Sequence, residues 1–126
     1  ILSELGNTLG AIASCNRLEE NVCFGSLDLG IRPMIWSPLA GGRLFKAGEE
    51  AAQRVRTVLE DLGRQHQVSV ATMAYAWILR HPSRPVPITG SQRVEALQEA
   101  VAALTLRLSA EEWYRVLEAS DGRPVA

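Results

Sequence analysis

The sequence predicts an α/β fold in which short strands pair in parallel and helices cross between them. Three observations carry that expectation. Apolar residues recur at helical spacing in four stretches, and short apolar runs closed by proline or glycine lie between and before them. Most of the helical stretches also open on a residue suited to cap a helix. The order is strand, strand, helix, helix, strand, helix, helix, and strands joined through helices imply parallel pairing.

Residues 1–30 show no clear period. Ile12 and Ala13 lead into Ser14-Cys15-Asn16, which fits a short strand. Ile31-Arg32-Pro33-Met34-Ile35-Trp36 is an apolar run closed by Ser37-Pro38 and a glycine pair, the signature of a buried strand with Pro33 near its beginning. From Glu49 to Gln65, Ala52, Val55, Leu59 and Leu62 mark one helical face, with Glu49 and Glu50 at the positive end of its dipole. Arg64 and His66 suit the opposite end.

Ser69 caps a second predicted helix, with Val70, Met73, Ala74, Trp77 and Ile78 facing inward until His81-Pro82 stops it. Pro85-Val86-Pro87-Ile88-Thr89 reads as an extended segment ending at Gly90. Ser91 is expected to cap a third helix striped by Val94, Leu97, Val101 and Leu104. Ser109-Ala110-Glu111-Glu112 is a capping-box pattern opening a fourth, which buries Trp113, Val116 and Leu117.

At 126 residues the chain suffices for one modest domain, and 47% hydrophobic with 21% charged residues is a globular composition. A formal charge of −1 gives no overall basic field for nucleic acid or an anionic membrane. No apolar run approaches the roughly 20 residues that span a bilayer. The opening Ile-Leu-Ser-Glu-Leu-Gly lacks the basic start and apolar centre of a secretory signal, and the absent initiator methionine fits a processed or truncated chain. Cys15 and Cys23 are too few and too far apart for a disulfide scaffold or zinc knuckle. They read as free thiols in a cytoplasmic protein.

Two loops carry the chemistry. The first, Trp36-Ser37-Pro38-Leu39-Ala40-Gly41-Gly42-Arg43-Leu44-Phe45, follows a strand directly, and in parallel α/β folds ligands gather at the carboxyl ends of strands. Its glycines allow close backbone approach to an anion, Ser37 adds a hydroxyl, and Arg43 can give a charge-assisted hydrogen bond. The second, Pro87-Ile88-Thr89-Gly90-Ser91-Gln92-Arg93, runs from a strand end into a helix start, where exposed N–H groups and the dipole attract phosphate. On composition alone, the first also reads as a strand end followed by an ordinary flexible loop, and the second as a plain serine N-cap with a solvent-facing arginine.

Taken together, the two loops resemble the last two barrel strands of the aldo-keto reductases. The strand ending in Trp36-Ser37-Pro38-Leu39-Ala40-Gly41-Gly42 and the later Pro87-Ile88-Thr89-Gly90-Ser91 carry the likeness. Ala74-Tyr75-Ala76-Trp77-Ile78-Leu79-Arg80 is similar to the helix before the family's final strand, and Leu108-Ser109-Ala110-Glu111-Glu112-Trp113 to its C-terminal helix entry. Gly41-Gly42-Arg43-Leu44-Phe45 points to the bacterial oxidoreductase branch. The likeness covers residues 31–120 of a single partial domain, with residues 1–30 degenerate.

The resemblance implies the C-terminal part of an eight-stranded β/α (TIM) barrel, left incomplete because the whole fold needs about 250 residues. It implies NADP across the carboxyl-end face. Ser37, Pro38, Leu39 and the Gly41-Gly42 backbone would line the pyrophosphate and ribose, with Arg43 beside them. Gly90, Ser91 and Arg93 would sit at the adenosine 2′-phosphate, and Glu99 near the adenine. Ala96 and Ala100 stand where many members carry arginine or glutamine and asparagine. Arg17 stands where a glutamine usually holds the nicotinamide.

The family's tyrosine proton donor, with its assisting lysine, aspartate and histidine, comes from the first half of the barrel and has no counterpart here. Tyr75 and Tyr114 fall within helical patterns, Lys46 is the sole lysine, and His66 and His81 lie at helix ends without metal-ligand spacing. The expected function is therefore that of a reductase fragment with cofactor loops but no catalytic residues. A non-enzymatic NADP-binding or subunit-interaction module, or a gene remnant, is the alternative. Unclosed sheet edges would favour self-association.

Overall fold

The computed structural model describes residues 29–32 and 34–124; the strand expected over Ile12–Asn16, both cysteines and Arg17 lie outside them. Strand β1 (Met34–Ile35) is followed by a 3-10 segment (Ala40–Phe45), helix α1 (Glu50–His66) and helix α2 (Val70–Leu79). Strand β2 (Val86–Pro87), helix α3 (Val94–Ala102) and helix α4 (Ala110–Asp121) complete the order. β1 and β2 pair in parallel, Met34 with Val86 and Ile35 with Pro87, across the α1–α2 crossover. This is a partial α/β architecture with one parallel strand pair among the described residues.

Both strands are shorter than the apolar runs predicted. Prolines account for part of this: Pro87 has no N–H, so the ladder passes to Ile88, whose N–H donates to the Ile35 carbonyl at 2.8 Å. Burial accounts for the rest, because Ile35 is buried while Ile31, Met34 and Trp36 are exposed.

α2 is the centre of the fold. Its sequence, VATMAYAWIL, is apolar almost all round, and a helix of that kind must be covered on every side. Ala71 through Ile78 are all buried, against α1, α3, α4 and β2. α1 is amphipathic instead, burying Ala52, Val55, Leu59, Leu62 and Gly63. It ends on Gln67 in the left-handed conformation (φ 58°), with the Val68 N–H on the Gly63 carbonyl at 2.9 Å and the Gln67 N–H on the Arg64 carbonyl at 3.4 Å. That is a Schellman closure in which glutamine holds the place glycine usually takes.

Two caps agree with the sequence reading. The Ser69 hydroxyl accepts from the Thr72 N–H, and Ser109 with Glu112 forms a complete capping box. Glu112 carries a second load, since its other carboxylate oxygen lies 2.6 Å from His66 Nε2 and ties α4 to the end of α1. The α2–α4 contact centres on Trp77 and Trp113. Their rings stack at 5.3 Å, and each indole N–H donates to the other residue's carbonyl, at 2.9 and 3.1 Å. The Trp77 carbonyl lies in the last turn of α2, where backbone donors run out, so Trp113 supplies its hydrogen bond.

α3 departs from expectation twice. Its N-cap is Arg93, and the Ser91 hydroxyl accepts from the Arg93 N–H at 3.2 Å in a local turn just ahead of the helix. Its apolar stripe of Val94, Leu97, Val101 and Leu104 faces outward, each at least 46% exposed. The helix packs on α2 through small side chains instead, with Ala100 and buried Ala103 against the core. The Thr72 hydroxyl donates to the Glu99 carbonyl across that contact at 3.1 Å. No described helix is long and apolar enough to cross a membrane.

Candidate functional site

Because β1 and β2 run in parallel, the loops that follow them leave the same end of the sheet. The Ile88–Ile35 hydrogen bond fixes their starting points side by side. Ser37, Pro38 and Leu39 thus follow one strand end, and Gly90, Ser91 and Arg93 the other. Adjacent carboxyl strand ends are where parallel α/β folds collect ligands.

The first loop is bent in a way the sequence only half reveals. Ser37 (φ 52°) and Ala40 (φ 53°) hold left-handed backbone, as do Gly41 (φ 62°) and Gly42 (φ 82°). For glycine this conformation is free, whereas for serine and alanine it costs on the order of 1 kcal/mol each. Buried Pro38, Ala40 and Leu44 and the Ala40 N–H to Ser37 carbonyl bond at 2.8 Å hold the strained turn in place. A Cβ built on Gly41 or Gly42 would meet nothing within 4 Å, so their backbone faces open space. Room above a left-handed glycine pair lets a ligand approach the main chain closely.

The two arginines differ. Arg43 braces its own loop: its Nε donates to the Ala40 carbonyl at 3.2 Å and its Nη1 lies 3.9 Å from Glu49. Arg93 sits exposed at the start of α3, and its guanidinium makes no hydrogen bond or ion pair among the described residues. Arg93 therefore keeps its charge unengaged among the described residues, beside the partial positive charge of the α3 N-terminus. A Cβ on Gly90 would also meet nothing within 4 Å.

Glu99 is half-buried on the α2-facing side of α3, near enough to Tyr75 to act on its phenol. Burial first, and the Glu99 charge second, raise the Tyr75 pKa. Tyr75 is a core residue, 5% exposed, and Tyr114 lies edge-on to Trp113 at 5.3 Å. His66 is held by Glu112. His81 is taken up locally, with its Nδ1 facing the Ser83 hydroxyl at 2.8 Å and the Ser83 N–H at 3.2 Å. No group of three metal-ligating side chains occurs among the described residues.

Sequence reasoning placed the two loops but missed the strain at Ser37 and Ala40 and the engagement of Arg43 by Glu49. A serine before proline gives no local sign of left-handed backbone. Glu49, six residues beyond Arg43, was assigned to the dipole of α1.

A parallel strand pair joined through crossover helices, with both following loops leaving its carboxyl end, is a partial β/α architecture. Residues 14–121 match the model of the Aldo/keto reductase family. The chain is 39% identical over 108 residues to Uncharacterized oxidoreductase YcsN of Bacillus subtilis (strain 168), covering 82% of this chain and 36% of that protein. It is 40% identical over 106 residues to a 6-dehydroglucose reductase of Novosphingobium aromaticivorans, covering 79% of this chain and 35% of that protein. It is also 40% identical over 106 residues to Oxidoreductase YdhF of Escherichia coli (strain K12), covering 80% and 35%. The chain belongs to the aldo/keto reductase family. It spans about a third of the length of these relatives, 35–36%.

Proposed function

We propose that these 126 residues hold the phosphate-bearing end of NADP for a carbonyl–alcohol oxidoreductase, and that by themselves they lack the residues for the chemistry. One observation carries the reading: two loops suited to phosphate oxygens leave neighbouring parallel strands at the same end, beside an uncommitted arginine at a helix start. In this reading Ser37, Pro38, Leu39 and the Gly41-Gly42 backbone line the pyrophosphate and ribose. Gly90, Ser91 and Arg93 take the 2′-phosphate, and Glu99 stands toward the adenine. Arg43 joins them only by giving up Glu49. The open space over Gly41, Gly42 and Gly90 fits a backbone-bound phosphate chain.

The cofactor would carry the hydride, given by NADPH in reduction and taken by NADP in the reverse oxidation, and the described residues would bind and orient its phosphates. β1 and β2 then correspond to the last two strands of an eight-stranded barrel in a cytoplasmic enzyme. The exposed edge at Met34, Trp36 and Ile88 is the surface such a barrel covers, so the separate chain should self-associate at micromolar concentration in light scattering. Titration calorimetry tests the cofactor reading. NADP and 2′,5′-ADP should bind equally and weakly, on the order of millimolar, or about 4 kcal/mol. NADPH should not be consumed with a panel of aldehydes. Tenfold tighter binding of NADP than of 2′,5′-ADP, or steady NADPH consumption above a heat-killed control, would sink this assignment.

A further inference from the structure

The end of the strand pair opposite the two loops carries a second basic site. A cleft of about 510 Å³ opens there, lined by Arg32, Arg80, Arg84 and Arg107. Its volume falls within the usual range for small-molecule sites. Arg32 and Arg84 each lie two residues before the paired Met34 and Val86, so the parallel register brings them together, and the Arg32 Nε donates to the Arg84 carbonyl at 2.8 Å. Arg80 enters from the end of α2, with its Nε on the Leu108 carbonyl at 2.8 Å. Arg107 comes from the α3–α4 connection.

Both of those Nε bonds go to neutral carbonyls. They fix the guanidinium groups without neutralising them and leave the terminal amino groups to serve a ligand. None of the four arginines forms an ion pair with a described carboxylate, and no acidic side chain among the described residues lines the cleft. The described chain elsewhere pairs its cations freely, with Asp61 serving both Arg64 and Arg115. Four unneutralised guanidinium groups around one concavity repel one another, and that arrangement is relieved by a bound anion. Arginine's planar fork suits oxyanions bidentately. Leu79, Leu104 and Leu106 supply apolar wall beside the charges.

We propose that this cleft binds a multivalent oxyanion, a small molecule bearing phosphate or carboxylate groups, at a site separate from the cofactor loops. The site does not depend on the cofactor reading, since it lies at the amino ends of the strands whose carboxyl ends carry those loops.

The test is calorimetric titration of the 126-residue chain with pyrophosphate and, separately, with citrate. Three proteins are compared: wild type, Arg84→Ala/Arg107→Ala, and Arg64→Ala as a charge control. Neither Arg84 nor Arg107 uses its guanidinium in a described hydrogen bond, and alanine keeps the same Cβ where Arg84 holds φ 52°. Saturable wild-type binding should weaken tenfold or more in the double variant and less than twofold in Arg64→Ala. Should the double variant lose its circular dichroism spectrum, Arg107→Ala alone must weaken binding at least threefold. Tighter pyrophosphate than citrate marks a phosphorylated ligand, and the reverse order a polycarboxylate; either agrees with the proposal. No saturable binding, an undiminished double variant, or an equal loss in Arg64→Ala overturns it.

Discussion

Gly63→Ala should destabilise the protein, although helix propensity alone argues the reverse. Gly63 lies inside α1, where replacing glycine by alanine ordinarily gains about 0.8–1 kcal/mol. Here a Cβ would meet the Val68 carbonyl oxygen at 2.8 Å. That oxygen is backbone, fixed by the turn joining α1 to α2, so it cannot rotate away as a side chain would. Relief requires moving Val68 and Ser69, which also strains the Val68 N–H to Gly63 carbonyl bond of 2.9 Å and the Ser69 cap of α2. Overpacking of this kind costs typically 1–3 kcal/mol, and a weakened hydrogen bond adds about 0.5–1.5 kcal/mol. The net expectation is a loss of about 1–2 kcal/mol. Urea unfolding followed by circular dichroism and tryptophan fluorescence measures it. A Gly63→Ala protein more stable than wild type by about 1 kcal/mol would refute the reasoning, because propensity would then have prevailed over the contact.

Two further outcomes are expected. Trp113→Phe keeps a stacked ring but leaves the Trp77 carbonyl without its 3.1 Å donor, so it should cost about 2–3 kcal/mol. A loss under about 0.5 kcal/mol would mean that the carbonyl finds another partner. Stability should fall in two stages on acidification. Burial lowers the His81 pKa, so the unfolded chain binds that proton more readily and stability declines as pH drops below about 6.5. Burial would raise Glu112, but hydrogen bonds from Ser109 and His66 outweigh it and hold the carboxyl below its ordinary range; a hydrogen bond from Arg115 does the same for Asp61. Their contribution is present above the ordinary carboxylate range and lost as pH falls through the lowered values. His81→Gln should abolish the upper stage and Glu112→Gln flatten the lower one in unfolding midpoints from pH 8 to 3. A single decline confined below pH 5 in the wild type would contradict the role given to His81.

What the sequence reveals divides along physical lines. Helices were legible because periodicity and caps act within a few residues: Val55, Leu59 and Leu62 are buried as spaced, and Ser69 and Ser109 cap as expected. Ser91 misled because it lies two residues before the true cap, close enough to bond the Arg93 N–H without opening the helix. The α3 stripe showed which side chains are apolar but not what covers them, and the small residues on the other side decided the packing. Strand length was over-read for the same reason, since Trp36 and Ile31 are apolar yet 59% and 57% exposed. The strained turn at Ser37, the reciprocal tryptophan bonds and the arginine cleft depend on residues brought together by tertiary contact. The family itself was legible because its two loop motifs are contiguous in sequence.

If the loop entering α3 meets the 2′-phosphate through Arg93, the effect of Arg93→Ala must differ between a ligand that carries that phosphate and one that lacks it. Calorimetric titration with 2′,5′-ADP and with 5′-ADP isolates that phosphate. Loss of one charge-assisted hydrogen bond at an exposed site should cost roughly 1–2 kcal/mol for 2′,5′-ADP. The change for 5′-ADP should be markedly smaller, because its phosphates would lie along the Ser37–Gly42 loop. A larger loss for 2′,5′-ADP is the predicted result. Equal losses for the two ligands, or none for either, would contradict the assignment and remove Arg93 from the 2′-phosphate site.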